Sequence, residues 1–177
     1  MCRPKPGWWL PTLLGLLALP ALAELKPFAA DSLPQILAER QSRPFLLLLW
    51  SLDCPPCRQE FARLQQLQGS IDRHNLVLIA TDDIQNQEEA QAVLHGFGLE
   101  AADNWIFADP MPERLRYRID PNWFGELPRA YLYTADQQRS AYSGVLSEAT
   151  LQQWQDTMTP DTTGLRSVTQ QITNDHD

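Results

Sequence analysis

Six apolar residues in a row, Phe45-Leu46-Leu47-Leu48-Leu49-Trp50, run almost directly into Cys54-Pro55-Pro56-Cys57, and a helix-patterned stretch follows the second cysteine. A continuous apolar run of this length reads as a strand buried on both faces. Two cysteines three apart at a helix start can close a small disulfide ring and open it again, which is dithiol–disulfide chemistry without a cofactor. The pair would then sit at the C-terminal end of a central strand, where open α/β sheets hold their sites. The third cysteine, Cys2, lies in a segment that reads as removable.

That segment, residues 1–23, has the form of a secretory signal. Arg3 and Lys5 give a positive start, residues 8–22 are apolar, and Ala21-Leu22-Ala23 is a small-x-small cleavage site. An uncleaved membrane anchor is the alternative. Pro11 and Pro20 interrupt the apolar run, which is shorter than the about 20 residues a spanning helix wants. Cleavage leaves residues 24–177, enough for one domain with a real core. The leader takes two of the 14 basic residues and none of the 22 acidic ones, so 12 against 22 leaves a net charge of −10. An acidic domain of this kind is a poor candidate for nucleic acid binding. A structural disulfide scaffold would carry more cysteines, spread wider. A lone tight pair points to catalysis or metal capture instead.

Along the chain, the patterns predict a helix over 31–41, the strand 45–50 and a helix over 55–68 ended by Gly69. A second buried strand follows at 76–80, then a helix over 86–97, a short strand or extended piece at 105–108 and a short helix at 112–119. Strands at 129–134 and 139–144 form a hairpin, and Ser147 caps a last helix to about 156. Residues 158–177 are polar and aperiodic and read as a tail. Strands alternating with helices imply parallel pairing, and the hairpin adds antiparallel strands. The expected fold class is α/β, a central mixed β-sheet with helices on both faces.

These residues resemble the thioredoxin superfamily, and more closely the exported TlpA/ResA/CcmG-like thiol–disulfide oxidoreductases. Trp50 stands four before Cys54, as the family's strand-end tryptophan does. Cys57-Arg58-Gln59-Glu60-Phe61 is similar to the family's Cys-Lys-Lys-Glu-Phe continuation, and Leu127-Pro128 before the hairpin resembles its cis-proline loop. The resemblance covers residues 26–157 and implies a thioredoxin fold. It makes Cys54 the exposed nucleophile, its thiolate favoured by the free N–H groups and dipole of the helix start. Cys57 is then the buried resolving thiol. Pro128 would present backbone opposite the cysteines, with the Leu127 carbonyl and N–H as substrate contacts. Trp50, Leu127 and Trp123 are counted with the substrate-binding surface. Glu60 either tunes the cysteines' proton chemistry or is a solvated helix residue. Thioredoxin's buried aspartate, six before the first cysteine, is replaced here by Leu48.

Trp123 and Phe124 form either an apolar lip for a client or ordinary packing over the sheet edge. Trp105 and Trp154 read as core, His74 before a strand and His95 in a helix as residues without a functional role, and Asp82-Asp83 as a loop and helix-start pair. Two departures from the family bear on direction. Asp53 replaces the usual aromatic residue before the first cysteine, and its carboxylate raises the Cys54 thiol pKa by like-charge repulsion. Pro55 and Pro56 remove two backbone donors. Both effects disfavour the thiolate and predict a reducing couple.

The resemblance thus implies a periplasmic reductase of disulfides in exported proteins, with apocytochrome c or copper-site cysteines among its clients, as in cytochrome c maturation. It also implies a membrane thiol electron donor of the DsbD/CcdA type. No cofactor and no metal site are expected, since zinc wants four ligands and only two cysteines and three scattered histidines are present. The alternatives are a net oxidase or isomerase on the same fold, or a copper-binding chaperone using the pair as soft ligands. A thioredoxin-like scaffold with a spent site is disfavoured by the retained Cys54, Cys57, Trp50 and Pro128. A peroxiredoxin is disfavoured because no Pro-x-x-x-Thr-x-x-Cys surrounds Cys54.

Overall fold

The computed structural model describes residues 24–67 and 71–158. The expected leader, the Gly69 helix stop and residues 159–177 of the expected tail lie outside them. Within them no helix is long and apolar enough to cross a membrane.

Strand β2 (Phe45–Trp50) organises the rest, and all six of its residues are buried. Its side chains alternate between two faces, as the strand period of two requires. Leu46, Leu48 and Trp50 join one core cluster, with Phe61 and Leu64 of α2 (Pro55–Gln66), Ala90 and Leu94 of α3 (Gln87–Gly96), and Leu151 and Trp154 of α5 (Glu148–Met158). Phe45, Leu47 and Leu49 join the other. There they meet Leu33 and Ile36 of α1 (Ser32–Glu39) and Leu115 and Ile119 of α4 (Pro112–Ile119). Helices therefore cover both faces, three on one and two on the other.

Six strands make one sheet in the order β1-β4-β3-β2-β5-β6. β1 (Lys26–Phe28), β4 (Asp103–Phe107), β3 (Leu76–Asp83) and β2 are mutually parallel, and β5 (Arg129–Tyr133) and β6 (Arg139–Ser143) join as an antiparallel hairpin. β1 escapes sequence reading because three residues, one of them Pro27, are too few to show a period. β4 starts two residues before the expected piece. Its polar opening is satisfied by tertiary partners: Asp103 pairs with Arg40 and Lys26, and Asn104 donates to the Leu99 carbonyl at 3.0 Å.

The helix starts differ in how they are capped. Ser147 accepts from the Thr150 N–H at 3.1 Å, as expected of a capping serine. Asp31 makes no side-chain cap, and Ser32 instead accepts from the Ala29 N–H at 2.9 Å. Met158, expected to open the tail, closes α5.

Leu47 is fully buried in the middle of β2. Leu47→Ala is expected to destabilise the protein by about 2–5 kcal/mol through lost transfer energy and the cavity left behind. In urea unfolding the midpoint should fall at unchanged m-value, and a shift under 1 kcal/mol would mean that the site collapses around the gap.

Candidate active site

Cys54 is the N-cap of α2, with extended backbone (φ −122°, ψ 91°), and Pro55 and Pro56 occupy the first two helical positions. Prolines are tolerated there because those N–H groups have no intrahelical acceptor. Their cost is that the N–H of Cys57 is the first donor left at the helix end. It turns to Cys54, lying 3.2 Å from Sγ and 3.0 Å from the carbonyl. Cys54 and Cys57 are joined in a disulfide, their Cα atoms 5.3 Å apart. Cys57 is fully buried, as expected. Cys54, expected to be exposed, is only 6% exposed. Bonding to a fully buried partner draws its sulfur inward, and both cysteines belong to the core cluster on the α2 face.

The chain between β2 and Cys54 is held from two elements. Thr81 Oγ1 donates to the Trp50 carbonyl at 3.2 Å. The Leu52 N–H lies 3.0 and 3.3 Å from the two carboxylate oxygens of Asp82, and Arg58 donates to the Leu52 carbonyl at 3.2 Å. Both ends of the Leu52 residue are thus gripped by charged side chains, one from β3 and one from α2. Burial pushes the Asp82 carboxyl up, the Leu52 N–H opposes this, and the negative charges of Asp53 and Glu89 add to the rise. The sequence assigned Asp82 and Asp83 to a loop and helix start. Both instead end β3, and Asp83 also caps the following 3-10 turn by accepting from the Gln85 N–H at 2.9 Å.

Glu60 is fully buried, which overturns the solvated-helix alternative. Its Oε2 accepts from the Leu146 N–H at 2.8 Å, and Arg63 donates to the Leu146 carbonyl. One residue of the β6–α5 connection is therefore clamped by two side chains of α2. Burial raises the Glu60 carboxyl above its ordinary value, with the Leu146 N–H and the Arg63 charge as partial offsets. Oε1 is buried without a hydrogen-bond partner. The signal was present in the sequence: Glu60 lies one turn after Cys57 and beside Phe61, on the stripe that continues to Leu64.

The Leu127–Pro128 peptide is cis. β5 runs antiparallel to β2 with Arg129 opposite Leu49, so Pro128 falls beside Trp50 at the end of β2 that leads into Cys54. The Pro128 carbonyl accepts from the Gly144 N–H at 2.8 Å. Behind this loop lies a polar network that sequence reading missed. Buried Asp120 accepts from Tyr131 Oη at 2.9 Å, Arg129 at 3.0 Å and the Asn122 N–H at 3.0 Å, with Arg139 at 3.8 Å. The guanidinium groups of Arg129 and Arg139 lie 5.1 and 4.8 Å from the Tyr131 ring centroid. Burial alone would raise Asp120, but these donors and the Arg139 charge outweigh it and hold the carboxyl below its ordinary value. Burial pushes the Tyr131 hydroxyl up to about 12. Nothing local in the sequence ties Asp120 to residues 9 and 11 positions on.

Two residues expected on the substrate surface are inside. Trp50 is 1% exposed and meets Phe61 edge-on at 5.0 Å, because the strand period turns it to the α2 face. Trp123 is 4% exposed in the cluster on the α1/α4 face, and its Nε1 donates to the Glu126 carbonyl at 2.9 Å. An indole that buries its ring and finds a partner for its N–H gains on both counts. Leu127 is half-buried and packs against both clusters. Trp105 and Trp154 are core, as expected, and His74 and His95 are exposed.

No family model matches the chain. Its structure is similar to solved ones. A thiol:disulfide interchange protein of the thioredoxin family from Chlorobium tepidum matches with a TM-score of 0.51 at 20% identity, over 68% of this chain and 82% of that one. The chain has a thioredoxin fold. A DsbF homologue from Corynebacterium diphtheriae matches with a TM-score of 0.51 at 18% identity, over 68% and 74% of the two chains. A secreted thiol-disulfide isomerase from Corynebacterium glutamicum matches with 0.50 at 20%, over 69% and 72%. The disulfide and the buried glutamate on α2 and the cis peptide before β5 come from two separated stretches of chain.

Asp120 and Glu60 should affect pH stability with opposite signs. The Asp120 value is depressed on folding, so its contribution is complete above the ordinary carboxylate range and is lost as pH falls through the folded value. Asp120→Asn should cost about 1–3 kcal/mol near neutrality and progressively less below about pH 4. The Glu60 value is raised, so wild type loses stability as pH climbs from the ordinary carboxylate range to the folded value. Glu60→Gln should gain on wild type across that window. Urea midpoints from pH 3 to 8 (~ordinary assay range) read both; parallel curves for either variant would show that its carboxyl does not titrate as placed.

Proposed function

We propose that this protein is an exported thiol–disulfide oxidoreductase that reduces disulfides in exported proteins through Cys54 and Cys57. The observation that carries this reading is the Cys54–Cys57 disulfide at the start of α2, at the same sheet end as the cis Leu127–Pro128 peptide. The neighbours described as thiol–disulfide proteins, one of them secreted, support it.

The reaction begins with the pair reduced. The Cys54 thiolate attacks one sulfur of a client disulfide; that S–S bond breaks, and the client's other sulfur leaves as a thiolate and takes up a proton. Cys57 then gives up its proton and attacks Cys54 Sγ, breaking the mixed disulfide and releasing the second client thiol. Two electrons pass to the client, and the Cys54–Cys57 disulfide forms. A thiol donor outside the cytoplasm, of the membrane-transporter type, must return them. Maturation of c-type cytochromes is one pathway whose substrates have this chemistry.

The direction follows from electrostatics. Asp53 is exposed beside Cys54, and the two prolines leave the Cys57 N–H as the first helix-end donor to the sulfur. A weakly stabilised thiolate favours the disulfide and lowers the potential. Equilibration with glutathione or dithiothreitol should give a value near or below about −270 mV. A value above about −180 mV would make the protein an oxidase or isomerase. Cys54→Ser should abolish reduction of an oxidised client, whereas Cys57→Ser should accumulate a mixed disulfide visible on a non-reducing gel. Trapping through Cys57 in a Cys54→Ser variant instead would reverse the assignment of nucleophile.

A further inference from the structure

Among the described residues three large apolar side chains are exposed, and Phe124, at 91%, is far the most so. It does not sit on a slack loop. The N–H groups of Asn122 and Trp123 are both held by Asp120, at 3.0 Å each. Trp123, its neighbour, is sunk in the core and tied to the Glu126 carbonyl. Gly125 follows at φ +101°, a conformation L side chains rarely adopt, and an added Cβ would meet Arg116 at 3.3 Å. With Trp123 fixed inward and Gly125 fixed in the turn, Phe124 has no route back to the core.

Its place in the fold is specific. The loop enters β5 through Leu127–Pro128, at the sheet end that carries Cys54. Other apolar side chains near this end are accessible: Pro55 and Pro56, next to Cys54 in the chain, are exposed, and Leu52 and Leu127 are half-buried. Asp53, before Cys54, and Glu126, two after Phe124, are exposed polar residues in the same two segments.

We propose that Phe124 is an apolar anchor for the client of the disulfide exchange, gripping an aromatic or aliphatic side chain close to the client's bonded cysteine. The proposal rests on the oxidoreductase reading above and names what that site selects. Phe124 leads within three residues into the cis Leu127–Pro128 peptide, at the sheet end where β2 runs into Cys54, which puts the anchor on the same loop as the exchange site. Phe124 precedes Leu127 by three residues, a span of at most ~11 Å. The gripped side chain therefore lies within about three client residues of the one that meets Leu127. A second copy of this chain is the weaker occupant. One phenyl ring, about 200 Å², with two exposed prolines and two half-buried leucines, falls well short of the ~800 Å² per partner of a stable interface.

The test uses the reduced wild-type protein and two oxidised peptides that differ only in having Phe or Ser two residues from the cysteine. Wild type should reduce the Phe peptide at least about tenfold faster in kcat/KM, the scale set by covering one phenyl ring. In Phe124→Ala the ratio should fall to near one, and Phe124→Leu should restore most of it. Urea midpoints confirm that both variants are folded. Equal rates for the two peptides in wild type, or a ratio that survives in Phe124→Ala, would overturn the anchor. So would a wild-type dimer in sedimentation that Phe124→Ala dissolves, since the occupant would then be a second copy. Rates with bis(2-hydroxyethyl) disulfide separate the two readings: a wild-type protein inert toward it loses the oxidoreductase reading itself, whereas an active one without peptide preference loses only the anchor.

Discussion

A strand buried on both faces has no free choice of neighbours, and β2 is such a strand. Its six apolar residues need helices above and below and a hydrogen-bonded partner on each edge. β3 supplies one partner in parallel and β5 the other in antiparallel register. That mixed pairing sets the site. Because β2 ends at Trp50, the chain leaves the sheet into Cys54, and because β5 begins opposite Leu49, the Leu127–Pro128 peptide arrives at the same end. Shifting either register by one residue would exchange the two core faces and move the cysteines away from the loop.

Around this apolar frame, charged side chains are used as clamps on single residues of irregular chain. Asp82 and Arg58 hold the two backbone groups of Leu52, and Glu60 and Arg63 hold those of Leu146. A buried backbone group without a partner is costly, so connections that cannot join the sheet need such partners. α2 contributes to both clamps, so the helix that carries the cysteines also fixes the segment before them and the β6–α5 connection. The carboxylates are not equivalent. Burial dominates at Glu60 and Asp82 and raises them, whereas the donors around Asp120 outweigh burial and lower it.

The two cysteines inherit different surroundings from their positions on α2. Cys57, one turn in, is sealed beneath the helix with Phe61 and Leu64, while Cys54 caps the helix beside exposed Asp53, Pro55 and Pro56. In the proposed exchange, which first bonds an outside partner and then releases it, attack falls to Cys54 and release to Cys57. The segment between α4 and β5 adds a second asymmetry, one aromatic ring driven inward at Trp123 and the next left in water at Phe124.

The amino-acid sequence determined the central strand, the cysteine pair, the helix that follows and the hairpin. Each is a local pattern: a continuous apolar run, a fixed cysteine spacing, a three- to four-residue period. The proline at 128 was legible too, through its place before the hairpin. Tertiary structure decided what depends on distant partners. β1 exists only because β4 pairs with it. Asp120, Arg129 and Tyr131 form one network only because α4 ends beside β5. Whether Glu60 was solvated or buried, and whether Trp50 and Trp123 faced a client or the core, turned on which side of an element packed inward. A residue type does not specify that choice; the full set of contacts does.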